Sequence, residues 1–238
     1  MKKNVFVLVL FCCLSMMAHA EIAKYCMSYS DFVAGNWKSV DELTQGRTKQ
    51  ACQMKFNNNQ FRFKTGDKVA DKLLKKEAFA VMYGEHIYVN CRNLRVNGTY
   101  LDISGYTHAV CYGKDKLCVM AYKNHDASFL LGLGLGLAGC FVDNTALKVG
   151  MEVGSIGLWV GNEYLSRAVC YLVDSDAQPD GKIATTRMND DFMEKLLNND
   201  APLLEKYKAA GNKHNRQSAS NVLPILMEKG LVSTSAVY

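Results

Sequence analysis

Three pairs of apolar runs joined by short turns fill most of the stretch from Ala51 to Tyr122 and leave few ways to fold it. "ACQMKF" and "QFRFKT" flank Asn57 to Asn59, "AFAVMYG" and "HIYVNCRNL" flank Gly84-Glu85, and "YTHAVCYG" and "KLCVMAY" flank a Lys-Asp turn. Parallel strands need crossovers of roughly a dozen residues or more, so connections this short impose antiparallel hairpins. Enrichment in Tyr, Val, Phe and Ile suits a pleated, half-buried surface. Two helical turns accompany the strands. "SYSDFVAG" offers Ser30 as a cap and Gly35 as a stop, and "ADKLLKKE" supplies the other.

Further along, "RAVCYLVD" reads as a strand, and "GKIATTRM" can return beside it across the loop "SDAQPD". Three amphipathic helices follow, expected to pack on the sheet. Asn189 or Asp190 caps the first, whose apolar face is Phe192, Met193, Leu196 and Leu197. Asp200 caps the second, with Pro202 in its first turn, where a missing N–H costs little. Ser218 or Ser220 caps the third, which Gly230 ends, and "AAGNKHNRQS" reads as a polar linker. The fold class is therefore α+β. Residues 1–20 read as a signal peptide, 21–126 as a β-rich region, 127–163 as a glycine-rich helical hairpin, and 164–238 as the strand pair with the C-terminal helices. Residues 21–238 are expected to form one domain.

The hairpin assignment rests on glycine spacing. "SFLLGLGLGLAGCFV", Ser128 to Val142, carries no charge, and its "GLGLAG" formally matches a dinucleotide-binding fingerprint. That fingerprint needs a strand before it and a helix after it, whereas here the preceding residues continue one apolar run. Helical phase explains the glycines better. Gly132, Gly136 and Gly139 fall within an arc of about 60° on one face, and Gly150, Gly154, Gly157 and Gly161 do the same. Each interior glycine costs about 1 kcal/mol relative to alanine. Close backbone contact, as in small-xxx-small packing, must recover that cost. Fifteen helical residues reach about 22 Å against a hydrocarbon core of about 30 Å, which favours a buried or self-associating hairpin over a membrane-inserted one. All seven glycines are thus expected to be packing residues.

The N-terminus points to export. Lys2 and Lys3 precede an apolar run from Val5 to Met17, which ends at Ala18-His19-Ala20. This is the pattern of a cleaved signal peptide, with Glu21 as the expected new N-terminus. Cys12 and Cys13 sit within the apolar run and do not follow the pattern of a lipidated cysteine. Without its two lysines the mature chain carries 26 basic against 23 acidic side chains and no long basic block, so nucleic acid is not an expected partner.

Seven mature cysteines, at 26, 52, 91, 111, 118, 140 and 170, show no CxxC or clustered Cys/His spacing. Buried apolar thiols, with one or two bridges at most, are the expectation, and no metal site. Cys111 and Cys118 face each other if Lys114-Asp115 is a two-residue loop and miss each other if Gly113-Lys114 is. Both registers fit the residues.

Catalytic signals are sparse. The mature histidines, 86, 108, 125 and 214, lack an i+3 or i+4 partner and read as structural or solvent-facing. "GSIG" at Gly154 to Gly157 lacks the spacing of a nucleophile elbow. Asp174, Asp176 and Asp180 lie on one loop, but Pro179 stands where a calcium loop counted from Asp174 requires glycine. No catalytic residue and no cofactor is assigned.

Several blocks are similar to a known group. "YSDFVAGNW", "TGDKVADKLLKKEAFAVMYGEHIYVNCRNL", the glycine-rich run and "SRAVCYLVDSDAQPDGKIATTRMNDDFMEKLLNNDAPLLEKY" resemble, in this order, an uncharacterised family of exported Bacteroidetes proteins, a domain of unknown function. The resemblance implies a cell-envelope protein in the periplasm and assigns no activity. A non-catalytic binding or structural role is expected. Membrane association through the hairpin is the first alternative, and a hydrolase that joins a histidine to a carboxylate is the second. Self-association and an envelope-protein partner both stay open.

Overall fold

The computed structural model describes residues 23–48, 60–97, 99–101, 105–122 and 168–232. The proposed export segment, His125 and the seven stripe glycines lie outside them. The described residues form a wide antiparallel sheet with material on both faces and helices at the C-terminal end, an α+β arrangement.

The order of the sheet is β13-β11-β10-β9-β6-β5-β1-β2, with the pair β3-β4 joined to β9. Its strands are β1 (Ala23–Cys26), β2 (Lys38–Val40), β3 (Thr44–Arg47), β4 (Phe61–Lys64), β5 (Ala80–Tyr83), β6 (His86–Asn90), β9 (Tyr106–Tyr112), β10 (Lys116–Tyr122), β11 (Ala168–Val173) and β13 (Thr186–Arg187). Two of the expected hairpins form. Tyr83 faces His86 across the Gly84-Glu85 turn, and β9 pairs with β10. Of the first hairpin, only "QFRFKT" lies in the described residues, with Phe61–Lys64 as its strand. Its partner there is Thr44–Arg47, a polar edge segment with no alternation for a pattern to catch.

The β9–β10 loop takes neither anticipated register. Tyr112 faces Lys116 and Cys111 faces Leu117, so three residues turn the chain. Cys118 then pairs with Val110, which puts Cys111 and Cys118 on opposite faces. Both are buried, as are Cys26, Cys91 and Cys170.

Strand β9 forks the sheet. Ala109 faces Val119 of β10, whereas Tyr106, three residues earlier, faces Phe61 of β4. Past the fork, Met120 to Tyr122 of β10 pair with Ala168 to Cys170 of β11. Gly105 sits beside it at φ 117°, and a Cβ there would lie 2.5 Å from the Phe61 carbonyl oxygen. Only glycine allows both that backbone conformation and that approach.

One face of the sheet carries two clusters. Helix α2 (Lys68–Lys76) and the β4 aromatics cover one end, where Phe61, Phe63, Leu74, Val81, Tyr88 and Tyr106 pack together. The C-terminal helices α3 (Asp190–Leu197), α4 (Ala201–Ala209) and α6 (Ala219–Glu228) cover the other, burying Met193, Leu197, Tyr207, Val222 and Leu226 against Met120, Cys170 and Leu172. Burial of each large apolar side chain contributes about 1.5–3 kcal/mol. The opposite face is covered by α1 (Tyr29–Ala34) and by a small sheet of β7 (Leu94–Val96), β8 (Thr99–Tyr100) and β12 (Ile183–Ala184).

"GKIATTRM" divides between the two sheets. Thr186 and Arg187 pair with β11 as expected, but Ile183 and Ala184 run parallel to β7. The cap of α1 is Ser28 rather than Ser30: its Oγ accepts from the Asp31 N–H at 2.9 Å. The supposed linker contains a short helix, α5 (Lys213–Arg216), capped by Asn212. Asn189 and Asp200 cap α3 and α4, with Pro202 in the first turn of α4.

Candidate functional site

Register brings together two histidines that sequence spacing keeps 22 residues apart. On β6, His86 and Tyr88 point to the two-cluster face; on β9, Tyr106 and His108 do so. Tyr88 is directly opposite His108, so His86 is its diagonal neighbour. His108 Nε2 lies 3.1 Å from His86 Nδ1, with the ring centroids 5.0 Å apart. The Tyr88 ring stands edge-on to both imidazoles.

The dyad sits between the two clusters. Tyr106, two residues before His108, belongs to the α2 cluster, and Val110, two residues after it, to the C-terminal helix cluster. His86 is half-buried at the hairpin turn, while His108 is only 8 % exposed. Burial, reinforced by the neighbouring His86, pushes the His108 imidazole down to about 3, so it stays neutral at ordinary pH. A neutral His108 suits the contact: one of the two facing nitrogens donates a hydrogen and the other accepts.

The hydrolase reading required a histidine to meet a carboxylate. Among the described residues His86 and His108 meet each other, His214 is exposed on α5, and His125 lies outside the described residues. The three loop aspartates do not converge either. Asp174 pairs with Lys116 at 3.7 Å, Asp180 with Lys182 at 2.7 Å, and Asp176 accepts from the Ser30 N–H at 3.0 Å. That last contact ties the loop after β11 to the first turn of α1. It also leaves Ser30 inside the helix rather than capping it.

A second polar centre joins the helices. Asp190 accepts from the Tyr207 hydroxyl at 2.7 Å and from Arg216 Nε and a terminal guanidinium nitrogen at 3.3 and 2.8 Å. Arg216, with Tyr207 and Gln217 beside it, holds the Asp190 carboxyl down at about 2. Sequence reasoning missed this centre, because Asp190 looks like an ordinary first-turn acid. The thiols are chemically quiet: burial pushes Cys26 up to about 12 and raises Cys91, and contact with Cys118 together with burial raises Cys170. Thiolates are the reactive form, so these groups are poor nucleophiles. Among the described residues, no group of three or more His, Cys, Asp and Glu is placed to hold a metal.

The profile of a family of unknown function, DUF6563, matches residues 24–232. The chain belongs to that family. No curated protein and no solved structure matches it. Membership in DUF6563 assigns no activity, so function has to be argued from the residues of this member.

Proposed function

We propose that this DUF6563 member is an exported cell-envelope protein whose role is binding or structural rather than catalytic. The observation that carries the reading is what its polar side chains do. Asp176 fastens a loop to α1, Asp190 clamps three helices, and the two buried-face histidines bond to each other. Among the described residues, these acids and histidines serve to join elements. The export half of the reading is supported by the Lys2-Lys3 tip, the short apolar run and Ala18-His19-Ala20, and by the resemblance to exported Bacteroidetes proteins.

A membrane-associated form is the second reading, favoured by the uncharged stretch Ser128 to Val142. Among the described residues no helix is long and apolar enough to cross a membrane. Extraction from the native envelope separates the two readings. Release by osmotic shock or a salt wash is the expected result. A chain that leaves the envelope only in detergent would overturn it in favour of the second.

A further inference from the structure

We propose that His86 and His108 form a two-histidine site for a divalent transition-metal cation, zinc(II) in the first instance. The geometry of the paired nitrogens carries the argument. Two imidazole nitrogens on one tetrahedral zinc, each about 2.0–2.1 Å from the metal, stand roughly 3.3 Å apart. His86 Nδ1 and His108 Nε2 are 3.1 Å apart, with their rings tilted by 58°. A monovalent ion bound in a straight line between two nitrogens at similar bond lengths would need them roughly 4 Å apart. The spacing therefore selects a cation that accepts neighbouring ligands at an angle. Imidazole is a good ligand for zinc, nickel and copper(II).

The placement of the pair suits an open site. The ligands come from adjacent strands of the sheet interior, so little conformational freedom is lost on binding. His108 is held within the face and His86 stands half-exposed at its rim, which leaves the outward coordination positions to water. Among the described residues no third His, Cys, Asp or Glu completes a set, so an affinity below that of a structural zinc site is expected. With both rings in the neutral form, binding needs no net loss of a proton. The cation takes the place of the shared hydrogen, which moves to the far nitrogen of the ring that carried it. The inference is independent of the compartment in which the protein works.

The test uses the full chain stripped with a chelator and titrated with zinc chloride at neutral pH, read by long-range proton–nitrogen correlation of the imidazoles. His86 Nδ1 and His108 Nε2 should shift together and saturate at one zinc per chain. His86→Gln, at the half-exposed position, should weaken this binding at least tenfold. The proposal is overturned if zinc leaves those two nitrogens unmoved, or if His86→Gln binds as the unaltered chain does. The nitrogen signals of the unaltered chain decide the matter even if the variant folds poorly.

Discussion

Two residues show how much can rest on one position. Gly105 meets both a left-handed backbone requirement, at φ 117°, and a close approach to the Phe61 carbonyl. Gly105→Ala should therefore cost roughly 3 kcal/mol, combining backbone strain with an unavoidable clash. Gly113 has φ 65° and open space around its missing Cβ, so Gly113→Ala should cost only about 1 kcal/mol. Denaturant midpoints of the two variants make the comparison. His108 carries a different obligation. Its folded form stays neutral to about 3, below the ~6.5 of a histidine in the unfolded chain. Its contribution is complete above about pH 6.5 and is lost as pH falls through the window down to 3, at up to about 1.4 kcal/mol per pH unit. In chelator-treated protein, melts from pH 7 to 4.5 should show that slope, and His108→Gln should remove it.

Elements show where sequence patterns suffice and where they fail. The turn at Gly84-Glu85, the caps Asn189 and Asp200 and the stop at Gly35 follow from local chemistry, and the structure has them. Ser28 is the cap, its Oγ accepting the Asp31 N–H, while the Ser30 hydroxyl and N–H both turn to Asp176, 146 residues away. Thr44–Arg47 is a strand because β4 pairs with it, not because of its own residues. The histidine dyad has the same origin. "HIYVN" and "YTHAV" each place a His beside a Tyr in alternation, but only the β6–β9 register turns two lone histidines into neighbours. The C-terminal helices share the Asp190 clamp, which local patterning does not reveal. Asp190→Ala should strand the Tyr207 hydroxyl and the Arg216 cation and cost about 2–4 kcal/mol at pH 7. The carboxyl is held down at about 2, against about 3.9 unfolded. The clamp's stabilisation is therefore present above about pH 4 and fades as pH falls towards 2. Thermal melts at pH 7 and pH 3 should differ less for the variant than for the parent.

At the scale of the molecule, β11 is the strand that unites the two ends of the sequence. It enters after residues 123–167 and pairs with β10 over six positions, placing the C-terminal helices on the same sheet as the N-terminal hairpins. The two-cluster face thus depends on both ends of the chain, and the dyad lies where their contributions meet. The role proposed for this scaffold is binding or structural work at the envelope. That role presupposes export, for which Lys2-Lys3, the apolar run and Ala18-His19-Ala20 are the proposed signal. Intact-mass measurement on protein recovered from its native envelope tests this most directly. The expected species begins at Glu21 and carries no lipid. A chain that still begins at Met1, or one beginning at a diacyl-modified Cys12 or Cys13, would contradict the account.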